Sequence, residues 1–254
     1  MDIYQQLSSH MQELGLQMDS TQLAKLSVRA TKDKLEPIEF LAEVVSSIVE
    51  EKRRRSYSML LRLSGMPVEK TLESFDFSFQ PNLDEQQIRR LAKLDFVKAK
   101  ENVVFLSKPG RGKTHLAIAL GLKCIEQGMR VYMASLSHII DRIKEFQRLG
   151  TLTNRKWAAY TRPSLLIIDD VASRALDKQG SELFAELISR RYETGSIIIT
   201  SNRPFSEWPK VYDPRAAEEA VDKLVHHSTI VTIDGPSYRL KEKLELMKSI
   251  VLTS

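Results

Sequence analysis

The chain has a single cysteine, Cys124, in 254 residues. One thiol excludes an intramolecular disulfide and any site built from several thiolates, as fits a reducing compartment. Cys124 lies in a helical pattern and is expected to be plain core. No apolar run is long enough to span a bilayer, and the start, MDIYQQLSSHMQ, has no basic segment followed by an apolar one. Neither a membrane span nor a secretory leader is expected, which places the protein in the cytoplasm. There is no solenoid period, and with 42% hydrophobic and 28% charged residues the composition is not that of a disordered or fibrous chain. The length suits one large domain with a smaller attachment.

A formal net charge of +5 and a pI near 9.2 fit a polyanionic partner, although many basic proteins bind no nucleic acid. Where the charge sits decides more than its sum. Residues 1 to 65 read as a small all-helical domain, and 66 to 254 as the main domain. In the first, Ile3, Leu7, Met11 and Leu14 recur at helical spacing, and Leu23, Leu26 and Ala30 suggest a second helix. Pro37 opens a longer one whose Phe40, Leu41, Val44, Val45, Ile48 and Val49 form an apolar stripe. That helix runs into Lys52-Arg53-Arg54-Arg55, either a solvated helix end or a phosphate contact. Gly65-Met66-Pro67 reads as a linker.

From residue 100 short apolar strands alternate with amphipathic helices. Strands are expected at Val103–Leu106, Val131–Ala134, Leu165–Ile168 and Ser196–Thr200. Helices are expected at Thr114–Gln127, around Ile139–Phe146, and over 179 to 192. This alternation predicts an α/β fold, a parallel sheet flanked by helices.

The first strand ends at Ser107-Lys108-Pro109-Gly110-Arg111-Gly112-Lys113-Thr114, where a helix begins. Glycines let the backbone fold around phosphate oxygens while the helix N-terminus aims N–H groups at them; Lys113 would reach the β and γ phosphates of ATP, and Thr114 would hold Mg2+. A tight turn that happens to read GRGKT is the alternative. The strand Leu165–Ile168 delivers Asp169 and Asp170 at its C-terminal end, where open α/β sheets place ligands. Asp169 would steady the metal and Asp170 would polarise the attacking water, although a capped turn looks the same. Asn202, just past another strand, could orient that water, or be an ordinary turn residue.

These residues carry a resemblance. Lys70–Phe77, Asn102–Leu106, Gly112–Gly121 with His115 after the P-loop threonine, Leu187–Glu193, Ile198–Trp208, Leu224-Val225-His226-His227 and Ser237-Tyr238-Arg239-Leu240 together resemble the IstB family of insertion-sequence ATP-binding proteins, relatives of the helicase loader DnaC and the initiator DnaA. The likeness spans residues 70 to 241 and is looser before them. It implies an AAA+ P-loop NTPase fold of the initiator clade, an ATPase that forms ATP- and DNA-dependent homo-oligomers, largely non-sequence-specific binding of duplex DNA, and partnership with an IstA-type transposase. Pro109 to His115 would then bind nucleotide, with Arg239 as a second phosphate sensor or merely a surface ion pair.

Three departures from the family's pattern stand out. Ser107 replaces the usual Gly. Asp170 replaces the usual Glu, which would leave the base about 1.5 Å farther from its water unless the backbone compensates. Lys223 stands where the family usually has Arg, the finger that reaches a neighbour's γ-phosphate, and it lacks the planar fork of a guanidinium.

In the initiator clade the helical insertion after the second strand lines the DNA channel. Here that is Ser137–Tyr160, whose Arg142, Lys144, Arg148, Arg155 and Lys156 can neutralise phosphates without reading bases, or form a solvated helix face. Ser237 to Ser254 reads as one helix, too short for a full AAA+ lid, so assembly would rely on the N-terminal helices. Other readings of the same core are a DnaC-type helicase loader, a nucleotide-gated DNA scaffold with little hydrolysis, and a small-molecule kinase, which lacks an obvious substrate lid.

Overall fold

In the computed structural model, residues 2–67, 70–241 and 243 are described. The chain divides into two units, Met1–Met59 and Leu60–Ser254. Three helices open it, α1 (Ile3–Glu13), α2 (Ser20–Asp33) and α3 (Pro37–Ser64), the last running across the division. Asp19 caps α2 by accepting a hydrogen bond from the Gln22 amide, and Pro37 begins α3, where a missing N–H costs nothing.

The first unit buries little. Its core is Met18, Leu23, Val44 and Ile48, with Tyr4, Met11, Leu16, Leu26 and Phe40 packed around them. Two expected stripes are therefore corrected. On α1 the buried residue is Ser8, whose hydroxyl donates to the Met18 carbonyl, while Ile3, Leu7 and Leu14 are exposed. On α3, Val44 and Ile48 face inward, but Leu41, Val45 and Val49 stay at least 40% exposed. Six apolar positions cover more of the helix circumference than this small core can occupy.

The second unit is built on a five-stranded, all-parallel sheet: β1 (Asn102–Leu106), β2 (Val131–Ser135), β3 (Leu165–Val171), β4 (Ser196–Ser201) and β5 (Ser228–Thr232), in the order β2-β3-β4-β1-β5. The central strands are apolar on both faces. Val103–Phe105, Leu165–Ile168 and Ile197–Ile199 are all buried, each side chain contributing about 1.5–3 kcal/mol. Helices α6 (Lys113–Glu126), α7 (Leu136–Arg148), α8 (Asn154–Thr161), α9 (Lys178–Arg191) and α10 (Pro214–His226) connect the strands, preceded by short helices α4 (Glu85–Leu91) and α5 (Asp95–Lys98).

Helix α6 is buried almost all round, and its Gly121 permits close packing: a Cβ there would stand 2.7 Å from the Met66 sulfur and 2.8 Å from Ile167. Met66 is thus buried against α6, and Gly65-Met66-Pro67 does not behave as the expected linker. The four expected strands and three expected helices form within a few residues of their anticipated bounds; β5 and α10 went unanticipated. β5 leaves Ile230 exposed at the sheet edge, so its alternation is weak. Of the expected Ser237–Ser254 helix, only 238–241 and 243 are described, and these are helical; the remainder lies outside the described residues.

Candidate nucleotide site

Strand order alone brings the chemistry together. Because β4 lies between β3 and β1, the C-terminal ends of β3, β4 and β1 place Asp169, Asn202 and the loop after Leu106 side by side. These ends open into a cavity of about 850 Å³ lined by Pro109 to His115, Asp169, Asp170, Asn202 and Arg239. Eleven of the expected nucleotide and metal residues therefore share one space.

Gly110 and Gly112 take positive φ angles of 79° and 96°, which side chains rarely tolerate. Gly112 also N-caps α6 without any side-chain acceptor, so the first-turn N–H groups face the loop with no capping oxygen. That is the arrangement that receives phosphate oxygens. Lys113, 7% exposed, donates to the Ser107 carbonyl at 2.8 Å, the Ser107 hydroxyl at 3.1 Å and Asn202 Oδ1 at 2.6 Å. Ser107 thus adds an oxygen to the lysine's surroundings instead of obstructing the loop. Burial pushes the Lys113 ammonium down to about 8, against the pull of Asp169 and Asp170, while the Arg239 and Arg111 charges depress it further.

The Thr114 hydroxyl donates to Asp169 Oδ1 at 2.9 Å, and the Thr200 hydroxyl donates to the same oxygen. Thr200 also accepts from the Asp170 amide at 3.0 Å, so one hydroxyl fixes both acids. It lies near the end of an expected strand, but the alternation of a buried strand gives no sign that this hydroxyl orients two neighbours. Among the described residues no cluster of three or more His, Cys, Asp or Glu is placed to hold a metal. Mg2+ suits that scarcity, since it takes one or two protein oxygens and fills its shell with water and phosphate.

Asp170 sits where the β3–β4 register slips between Ile168 and Val171, in a left-handed conformation with φ 59°. Such a bulge re-aims a side chain, and a non-glycine residue held there costs on the order of 1–3 kcal/mol. The backbone does depart from a regular strand at the residue where the shorter acid replaces Glu. Asn202 Nδ2 donates to Asp170 Oδ1 at 3.2 Å while its oxygen faces Lys113, so one amide bridges the acid and the lysine.

Several contacts of the lining residues were not anticipated. Arg111 lines the cavity but its guanidinium is tied to Asp234 at 2.6 Å and to the Ile233 carbonyl. His115 Nε2 lies 2.7 Å from the Thr71 carbonyl with its ring edge-on to Phe75, and burial lowers its pKa. Phe75 lies over Gly112, where a Cβ would come within 2.5 Å of its ring. The Tyr238 amide donates to the Gly110 carbonyl at 2.8 Å, knitting the segment after β5 onto the phosphate loop. Sequence patterning finds no signal for these contacts, which join segments 44 residues apart at His115–Thr71 and 123 apart at Arg111–Asp234.

A match to the family model described as IstB-like ATP binding protein covers residues 9–246. This chain belongs to that family. It is 39% identical over 206 residues to a protein of Geobacillus stearothermophilus named as an ATP-binding protein of insertion sequence IS5376, spanning 81% of this chain and 82% of that one. A second relative, from Pseudomonas aeruginosa and named for insertion sequence IS21, is 38% identical over 226 residues, 88% of this chain and 84% of its own. Among solved structures, the DnaC helicase loader superposes with a TM-score of 0.51 at 24% identity, over 59% of this chain and 87% of that one. DnaA bound to AMPPCP and single-stranded DNA gives a TM-score of 0.57 at 22% identity, over 73% of this chain and 57% of that one. The IstB-like chain therefore has the P-loop AAA+ fold of these replication proteins, and at such identities the likeness carries the fold alone.

The remaining expected residues lie elsewhere. Lys223, in the last turn of α10, is 30% exposed and engaged within its own chain, donating to Ser189 Oγ at 2.6 Å and Glu219 Oε1 at 2.8 Å. On α7, Lys144 pairs with Asp177, the N-cap of α9, and Arg142 pairs with Glu145 while lying over the Phe146 ring. Lys156 also approaches that ring, at 4.4 Å, whereas Arg148 and Arg155 are exposed. Among the described residues, no helix is long and apolar enough to cross a membrane.

Proposed function

We propose that this IstB-like protein is a magnesium-dependent ATPase of the cytoplasm that assembles as a homo-oligomer on duplex DNA and assists an IstA-type transposase. The observation that carries the reading is the convergence of Lys113, Thr114, Asp169, Asp170 and Asn202 at three adjacent strand ends. The loop amides and Lys113 would grip the triphosphate, and Thr114 with Asp169 would hold Mg2+, which supplies charge neutralisation at the phosphates. Asp170 would take the proton from the attacking water, with Asn202 fixing the direction of that carboxylate. Arg239, beside Gly110 of the loop, would touch phosphate, and Lys223 would serve a neighbouring subunit once freed from Glu219.

The DNA partner is supported by the basic insertion over α7 and α8, where, among the described residues, Arg148 and Arg155 make no ion pair of the kind Lys144 makes with Asp177. The transposase partnership rests on the insertion-sequence relatives. A scaffold that binds ATP with little turnover is the reading favoured by Lys223, whose cation is already satisfied by Ser189 and Glu219.

The decisive experiment measures ATP affinity with and without Mg2+, and turnover with and without duplex DNA. Magnesium-dependent affinity with DNA-stimulated turnover is expected; affinity without turnover would establish the scaffold instead, and no magnesium-dependent affinity would defeat both. Charge reversal at Arg148 and Arg155 together should flatten the salt dependence of DNA binding by about two units of slope, since each lost phosphate contact removes ~0.9. An unchanged slope would move the DNA away from this insertion. Purified hexameric helicase and purified transposase, offered separately, distinguish a loader from a transposition helper.

A further inference from the structure

Gln80 is 3% exposed and lines the same cavity as the phosphate loop. Its Nε2 donates to the Pro236 carbonyl at 2.9 Å, yet its Oε1 is buried with no hydrogen-bond partner among the described residues. A buried acceptor left unpaired is costly, and native structures rarely retain one without a reason. The backbone comes close to that amide: a Cβ at Gly235 would stand 2.2 Å from Oε1 as it is oriented. On the neighbouring turn, Asn82 Nδ2 donates to the Asp234 carbonyl, and the Tyr238 amide holds Gly110.

Strand order gives this amide a direction. Asp169 and Asn202 stand at the ends of β3 and β4, so the metal and γ-phosphate end of a nucleotide lies to that side of β1. The base must then extend toward the β5 side, where Gln80, Tyr238 and Arg239 line the cavity. We infer that Gln80 reads the nucleobase and selects adenine, its Oε1 accepting from the 6-amino group and its Nε2 donating to a ring nitrogen. This rests on the ATP reading and names how that site chooses its base.

A carboxamide and adenine are complementary donor–acceptor pairs, whereas guanine offers an acceptor at position 6 and would set oxygen against oxygen. To face the base, the planar amide turns about the terminal side-chain bond, a broad torsion, carrying Oε1 off Gly235 and Nε2 off the Pro236 carbonyl together.

The test is equilibrium binding of ATP, GTP and purine riboside triphosphate, which lacks the 6-amino group, to the full chain and to Gln80→Leu. The wild-type chain should prefer ATP to the amino-less analogue by roughly 10-fold, the worth of one hydrogen bond to a buried acceptor. Gln80→Leu should erase that preference and narrow the gap to GTP while retaining micromolar-range affinity through the phosphates. Equal binding of ATP and the analogue by the wild-type chain overturns the inference without any variant having to fold. A Gln80→Leu chain that keeps its full preference overturns it as well. If no triphosphate binds at all, the ATP reading falls first and this inference with it, a result distinct from tight but indiscriminate binding.

Discussion

Two cations are buried at opposite ends of the same sheet, and they differ in what the fold leaves for them to do. Arg191, at the end of α9, is fully buried beneath the N-terminal ends of β3 and β4. It donates to the carbonyls of Tyr160, Thr161, Pro163, Ser164 and Ser196, and Gly195 makes room for it, since a Cβ there would stand 2.5 Å from its guanidinium. No carboxylate stands among these partners, and burial alone lowers its pKa to about 10. Lys113, at the C-terminal ends, also lies among carbonyl oxygens, but with two carboxylates and a side-chain amide beside it and a cavity beyond. One cation staples loops to strand starts; the other is poised where a ligand can enter. The lesson is that burial of a charge by itself says nothing about function, whereas burial beside an open, polar cavity does.

Breaking the staple should have the largest effect. Arg191→Ala would remove a donor from five carbonyls and empty a guanidinium-sized volume, costing about 3–5 kcal/mol, to be read as a lowered melting temperature and urea midpoint. A wild-type melting curve would deny its structural role. Lys113→Ala should do the reverse, leaving the melting curve near wild type while lowering ATP affinity at least ~100-fold, the loss of a charge-assisted contact to phosphate. If both substitutions unfold the chain, the contrast between the two ends fails.

Asp170→Asn keeps the shape and removes the proton acceptor. ATP binding should survive while turnover falls by roughly 10²–10⁴, the usual worth of a general base. Loss of binding and turnover together would mean that Asp170 serves the pocket and not the chemistry. The gentlest probe is pH. With its free-site pKa about 8, Lys113 loses its proton as pH rises through that value, and bound triphosphate restores it. ATP affinity should therefore be level below pH 8 and fall by up to about 10-fold per unit above it, with uptake of one proton on binding at pH 9. Calorimetry in two buffers of different ionisation enthalpy measures that proton, and its absence would show Lys113 still charged in the empty site.

The proposed phosphate loop was legible in the chain because its chemistry is local: Gly110, Gly112, Lys113 and Thr114 are neighbours in sequence and would act on one ligand. Asp169 and Asp170 were equally plain at the end of an unbroken apolar strand. What patterning missed involves distance or degeneracy. Thr200 looks like any strand threonine until its hydroxyl is seen against Asp169, and Gln80 carries no motif. The apolar stripes of α1 and α3 misled for a related reason, because periodicity reports which residues share a face and not whether a partner covers it.

By itself the sequence determined the alternation of strands and helices, the identity of the phosphate loop and the acids that accompany it, since backbone propensity, period and glycine placement act over a few residues. Only the tertiary structure decided that β4 lies between β1 and β3, that the register slips at Asp170, and that Gln80 faces the turn after β5. Those outcomes depend on which long-range contacts bury the most apolar surface while satisfying buried polar groups, a competition settled by the whole chain at once.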